Sequence, residues 1–178
     1  YTLIDLRPGS AIPVAMRWCR SRKAAARLQG VEALCTLAPQ SKLPLVLRSM
    51  VDRDAAVAKE AINGVSDAMS KGRLTKAAIA RVMSVLRDVM EGKHDLRGPQ
   101  RADALGAAAD VLARQPGGLA HLCSRSVICA GNSAIREALL ECTSPTHRRD
   151  RQFQAQLRKH LDSAALWRVY NAWKAGNV

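Results

Sequence analysis

Apolar residues recur three or four positions apart along most of this chain, and short polar or Gly/Pro breaks separate the runs. That spacing predicts helices rather than strands, because no stretch alternates apolar and polar residues for long enough. A first helix is expected over residues 14–38, kinked near Ser21 or Gly30, with Ala24, Leu28, Val31, Leu34 and Cys35 on its apolar face and Pro39 as its stop. Ser41 is expected to cap the next helix, with Pro44 in its first turn and Leu43, Leu47, Met50 and Val51 buried. Asp52 and Asp54 close that helix and cap a third, over 54–69, which buries Val57, Ala61, Val65 and Met69, or Ala58, Ile62 and Val65 on a broader face. Lys71-Gly72 reads as a C-terminal stop. Thr75 caps a helix with Ile79, Val82, Met83, Leu86, Val89 and Met90 on one face, and Gly92 ends it.

After a loop at 93–100 comes a helix over 100–114, broken firmly by Gln115-Pro116-Gly117-Gly118. Short helices are expected over 119–129 and 133–142, and a last helical region after Ser144-Pro145 carries Phe153, Leu157 and Leu161 on one face. The pattern gives an all-α chain of about eight helices in antiparallel pairs. Residues 1–13, with Pro8, Gly9 and Pro13, read as an extended N-terminal arm, 14–145 as the repeats, and 146–178 as basic and aromatic capping helices.

One phrase returns: Leu28-Gln29-Gly30-Val31-Glu32-Ala33-Leu34, then Ile62-Asn63-Gly64-Val65-Ser66-Asp67-Ala68-Met69, then Leu105-Gly106-Ala107-Ala108-Ala109-Asp110-Val111-Leu112. Its glycines lie 34 and then 42 residues apart, and periods in this range mark stacked helical hairpins. A hairpin cannot bury both faces alone, and small residues at equivalent positions let neighbours approach closely.

Leu43-Pro44-Leu45-Val46-Leu47, followed by Met50-Val51-Asp52-Arg53-Asp54 and Val57-Ala58-Lys59-Glu60-Ala61-Ile62-Asn63-Gly64, resembles the HEAT-repeat pattern. Lys59 stands near the usual Arg, and Ile62-Asn63-Gly64 stands for the Ala-Leu-Gly element. Arg101-Ala102-Asp103-Ala104-Leu105-Gly106 and Ser133-Ala134-Ile135-Arg136-Glu137-Ala138-Leu139-Leu140 look like the same element again. The departures are a single Leu-Pro opening, irregular spacing, and an inter-repeat Asp that is clear only once. The resemblance implies a short right-handed α-solenoid; a plain helical bundle is the other architecture that the same composition allows.

Charge changes the picture from architecture to partner. The 178 residues hold 28 Lys and Arg against 15 Asp and Glu, a formal charge of +13. The excess points to an anionic partner, RNA before DNA, although a genome rich in G and C would also inflate Ala and Arg. Two basic clusters stand out: Arg17, Arg20, Arg22, Lys23 and Arg27, with no acid among them, and Arg148, Arg149, Arg151, Arg158 and Lys159 beside His147. On one continuous helix Arg20, Lys23 and Arg27 would share a side and track a phosphate backbone, or else form a solvated face. Only a single aromatic falls within each cluster, Trp18 and Phe153, so a base-stacking platform is not indicated. Trp167, Tyr170 and Trp173, spaced by three, either cap the core or anchor a neighbouring protein subunit.

Catalytic constellations are not legible. His94, His121, His147 and His160 have no partners at metal-ligand spacing, and His121 with Cys123 reads as an ordinary helix face rather than a zinc site. Glu137 and Glu141 read as a solvated stripe, and no Walker loop or nucleophile elbow exists. Cys19, Cys35, Cys123, Cys129 and Cys142 are odd in number and form no CxxC pair, which suits a reducing intracellular compartment such as the mitochondrial matrix or cytoplasm. No apolar run is long enough to span a membrane. The chain opens on Tyr1 and not Met, so a partial or processed chain is expected. The combined expectation is a non-catalytic scaffold subunit that uses no cofactor, metal or small-molecule substrate. It would belong to a larger ribonucleoprotein, such as an organellar ribosome, and contact RNA through arginines and proteins through helical faces. A protein–protein adaptor gripping a peptide or acidic partner is the alternative.

Overall fold

The computed structural model describes residues 8–115 and 121. Six α-helices pack together: α1 (Pro8–Trp18), α2 (Ala24–Leu37), α3 (Leu43–Ser49), α4 (Ala55–Ser70), α5 (Lys76–Met90) and α6 (Arg101–Ala113). The described residues form no strand, and their one isolated bridge joins Asp54 and Arg97. The helices and caps expected beyond residue 115, His121 apart, lie outside the described residues.

The packing order is simple. α2, α4 and α6 form one row, each against the next, while α1 packs on α2, α3 on α2, α4 and α5, and α5 on α6. Helices in the middle of the row are apolar on more than one side. α4 buries Val57, Ala58, Ala61, Ile62, Val65 and Ala68, a broad arc facing α2 and α6. α5 buries a single stripe of Ala78, Val82, Met83, Leu86, Val89 and Met90. Leu34, Ile62, Leu86 and Leu112 are all fully inaccessible, and each stabilises the fold by about 1.5–3 kcal/mol through burial.

Much of the row is Ala and Gly, and that sets how close the helices come. A Cβ built on Gly30 would stand 2.7 Å from the backbone nitrogen of Cys19 and 2.8 Å from the carbonyl oxygen of Ala15. At Gly64 it would stand 2.5 Å from Cys35 Cβ. Only hydrogen fits at either place. The first two copies of the repeated phrase therefore mark close approaches, α2 onto the end of α1 and α4 onto α2.

Caps follow the sequence closely at α4 and α5. The Asp54 carboxylate accepts from the Ala56 and Val57 N–H groups, at 3.0 and 3.4 Å, and Thr75 Oγ1 accepts from the Ala78 N–H at 3.3 Å. Both helices end in a glycine of positive φ, Gly72 and Gly92, with the Schellman pairs Arg73 N–H to Ala68 carbonyl and Lys93 N–H to Asp88 carbonyl. Ser41 is not the cap expected for α3: that position falls to Lys42, with no side-chain hydrogen bond, and Pro44 lies in the first turn.

The N-terminal region differs from expectation. Residues 8–13 are helical rather than extended, because Pro8 takes the first helical position and Ala11 and Ala15 bury one turn apart. The single helix expected over 14–38 is two. At its end α1 tightens into bonds from Arg20 N–H to the Arg17 carbonyl and from Ser21 N–H to the Trp18 carbonyl. Ser21 Oγ then accepts the Lys23 N–H at 3.2 Å, and the chain turns before α2.

Loops at both ends of the row are bonded to their neighbours. On one edge, Arg97 N–H donates to the Arg53 carbonyl at 2.7 Å and Ala55 N–H donates to the Arg97 carbonyl at 2.8 Å, with Leu96 buried beside them. On the other edge, Arg73 Nη1 donates to the Thr36 carbonyl at 2.8 Å, and Gln40 Oε1 accepts the Thr75 N–H at 3.0 Å.

Candidate anion-binding edge

The α1–α2 loop is held from below by one side chain. Arg27, in the first turn of α2, donates through Nε and Nη2 to the two oxygens of Asp52, at 2.7 and 2.9 Å. Its Nη1 donates to the carbonyls of Ser21 and Arg22, both at 3.1 Å. Asp52 in turn accepts the Asp54 N–H at 2.9 Å. The pair is mostly shielded, with side chains 19% and 14% exposed. A bidentate, charge-assisted contact of this kind fixes orientation as well as energy, and the Asp52 hydrogen bond pushes the Arg27 pKa above its ordinary value. Arg27 therefore serves the fold first, and little of it reaches solvent.

The rest of the first basic cluster is exposed. Arg17 lies in the last turn of α1, and Arg20, Arg22 and Lys23 lie in the α1–α2 loop. Because the helix breaks after Trp18, Arg20, Lys23 and Arg27 do not form the helical stripe that their spacing suggested. Instead Arg20 meets two arginines from elsewhere. A cleft of about 440 Å³ between this loop and α3 is lined by Arg20, Arg27, Leu45, Arg48, Asp52 and Arg53 among others. A second cleft of about 420 Å³ lies beside it, lined by Arg17, Arg20 and Lys42 together with Ile12, Pro13 and Met16. Lys42, Arg48 and Arg53 were not among the sequence-derived candidates. Their signal was negative: α1 and α3 contain no acidic residue at all.

Charge is in fact sorted between helices. Among the described helices, Glu32, Glu60, Asp67, Asp103 and Asp110 lie on α2, α4 and α6, and the others hold only Asp88, on α5. Most acids are engaged: Asp103 with Lys59 at 2.7 Å, Asp67 with Lys71 and Arg73, Asp88 with Lys93, Asp95 with Arg97, and Asp110 with Arg114. These contacts hold the pKa of Asp67 and Asp95 below the ordinary carboxylate value. By contrast Arg17, Arg20, Arg22, Lys23, Lys42, Arg48 and Arg53 make no ion pair among the described residues.

Other candidate chemistry is muted. Burial pushes the Cys19 and Cys35 thiols up to about 11 and about 12, away from the reactive thiolate. His121 Nε2 stands 3.5 Å from a Glu91 oxygen, and burial lowers its pKa. Among the described residues no three His, Cys, Asp or Glu side chains gather as a metal site requires, and no helix is long and apolar enough to cross a membrane. The second basic cluster, Arg148, Arg149, Arg151, Arg158 and Lys159, and the aromatics Trp167, Tyr170 and Trp173 lie outside the described residues. Comparison with protein-family models, curated proteins and solved structures gives no match.

Proposed function

We propose that this chain is a non-catalytic scaffold of a ribonucleoprotein, built from HEAT-like helical hairpins and facing RNA phosphates with its α1–α3 edge. Support for the hairpin reading comes from the row of alternate helices and from loops cross-bonded between neighbouring pairs at both ends. The observation that carries the partner is the run of seven exposed or half-exposed cations between residues 17 and 53 without an ion pair among the described residues. The one acid that lines either of their clefts, Asp52, is already engaged by Arg27. Contacts of this kind position a polyanion without reading its sequence. Fluorescence anisotropy with a labelled 20-nucleotide RNA tests the reading. Affinity should fall steeply between roughly 50 and 200 mM salt, as counterion release requires. Absent binding, or binding indifferent to salt, overturns it, and salt-insensitive capture of a protein in place of RNA would favour an adaptor.

A further inference from the structure

Four guanidiniums and a single carboxylate face the cleft between the α1–α2 loop and α3. The carboxylate, Asp52, is neutralised by its bidentate bond to Arg27 and by the Asp54 N–H, so it repels an incoming anion only weakly. Four of the five N–H donors of Arg27 are already engaged by Asp52, Ser21 and Arg22. The pair thus forms a rigid floor. Arg20, Arg48 and Arg53 stand around it as exposed walls without ion pairs among the described residues. Asp95 feels the field of Arg53, but it is bonded to Arg97.

We propose that this cleft seats one phosphodiester group of an RNA backbone, gripped by Arg20, Arg48 and Arg53 above the Arg27–Asp52 floor. The proposal rests on the RNA reading above and deepens it by naming the site. Planar forked donors suit the tetrahedral oxygens of phosphate. Arg20 also lines the neighbouring cleft, with Arg17 and Lys42, so the cations continue along a path and fit a chain of charges better than a lone small anion. No aromatic residue lines either cleft, so the bases point away and recognition is of the backbone alone.

Two measurements on the full chain test this. In the first, inorganic phosphate is titrated while the arginine Nε–Hε resonances are followed by NMR; those of Arg20, Arg48 and Arg53 should move together, with Arg27 nearly still. In the second, RNA affinity is compared for R48E/R53E and for K76E/R81E, an equal charge change on α5. R48E/R53E should weaken binding at least about tenfold and lower the salt slope by about 2, and K76E/R81E should cost less than about threefold. Equal losses in the two variants, or RNA binding that ignores R48E/R53E, overturn the seat and leave the RNA reading standing. Phosphate shifts at the three arginines without RNA binding overturn the RNA reading and keep the anion seat. Neither shifts nor RNA binding removes both.

Discussion

Gly64 of α4 lies against Cys35 of α2 with room for a hydrogen atom only: a Cβ there would meet the Cys35 Cβ at 2.5 Å and its sulfur at 2.6 Å. The first of these is an atom fixed to the backbone, and no rotamer moves it away. The contact joins the glycine of the second copy of the repeated phrase to the residue that directly follows the first, at the seam between α2 and α4.

Gly64→Ala should force α2 and α4 apart and destabilise the protein by about 1–3 kcal/mol, read from urea unfolding, despite the better helix propensity of Ala. Removing only the sulfur, with Cys35→Ala in the same chain, should restore little, because the Cβ remains. Cys35→Gly should restore more. Equal rescue by both would mean that the sulfur, not the backbone approach, sets the spacing.

Arg27→Met should cost about 2 kcal/mol, since it strands a shielded Asp52 and frees the carbonyls of Ser21 and Arg22. Asp52→Asn should be similar, and the double variant should lose distinctly less than the two losses added. A double-mutant cycle on unfolding free energies measures the coupling. Simple additivity would show that the two side chains do not act as a unit.

Glu60, half-buried on α4, has its pKa raised by burial and then by the nearby Glu32. Its protonated form is favoured in the folded state, so the native protein binds more protons and stability falls as pH rises from the ordinary Glu value through the raised one. Glu60→Gln should therefore be more stable than the parent at neutral pH, with the advantage vanishing on acidification below the ordinary Glu range. Thermal unfolding from pH 3 to 7 shows this directly; an advantage that is constant with pH would mean that titration of Glu60 is not its origin.

Local signals carried the helices well. Asp54, Thr75, Gly72 and Gly92 end or begin helices where the sequence places them, because capping and positive φ are decided within a few residues. The buried faces of α4 and α5 follow from spacing for the same reason, with Met69 and Ile79 only partly covered. The break after Trp18 was not legible as a break between helices. It is stabilised by Arg27, whose partner Asp52 lies 25 residues away, and no window of local pattern contains both. The cleft was hidden in the same way. Arg20, Arg48 and Arg53 are scattered in the chain, and only packing brings them to one place. Five of the ten basic candidates lie among the described residues: Arg17, Arg20, Arg22 and Lys23 are exposed, and Arg27 is turned to an internal task.

The sorting of acids onto α2, α4 and α6, away from α1 and α3, has an effect that reaches beyond any single contact. Among the described residues it sets the two signs of charge apart in space, which amounts to an electric dipole. A polyanion at a distance exerts a torque on such a body, turning the cationic flank forward before the surfaces touch. For the polyanion proposed above, productive collisions would then outnumber those of a randomly tumbling particle, and the orientation of docking would be chosen during approach.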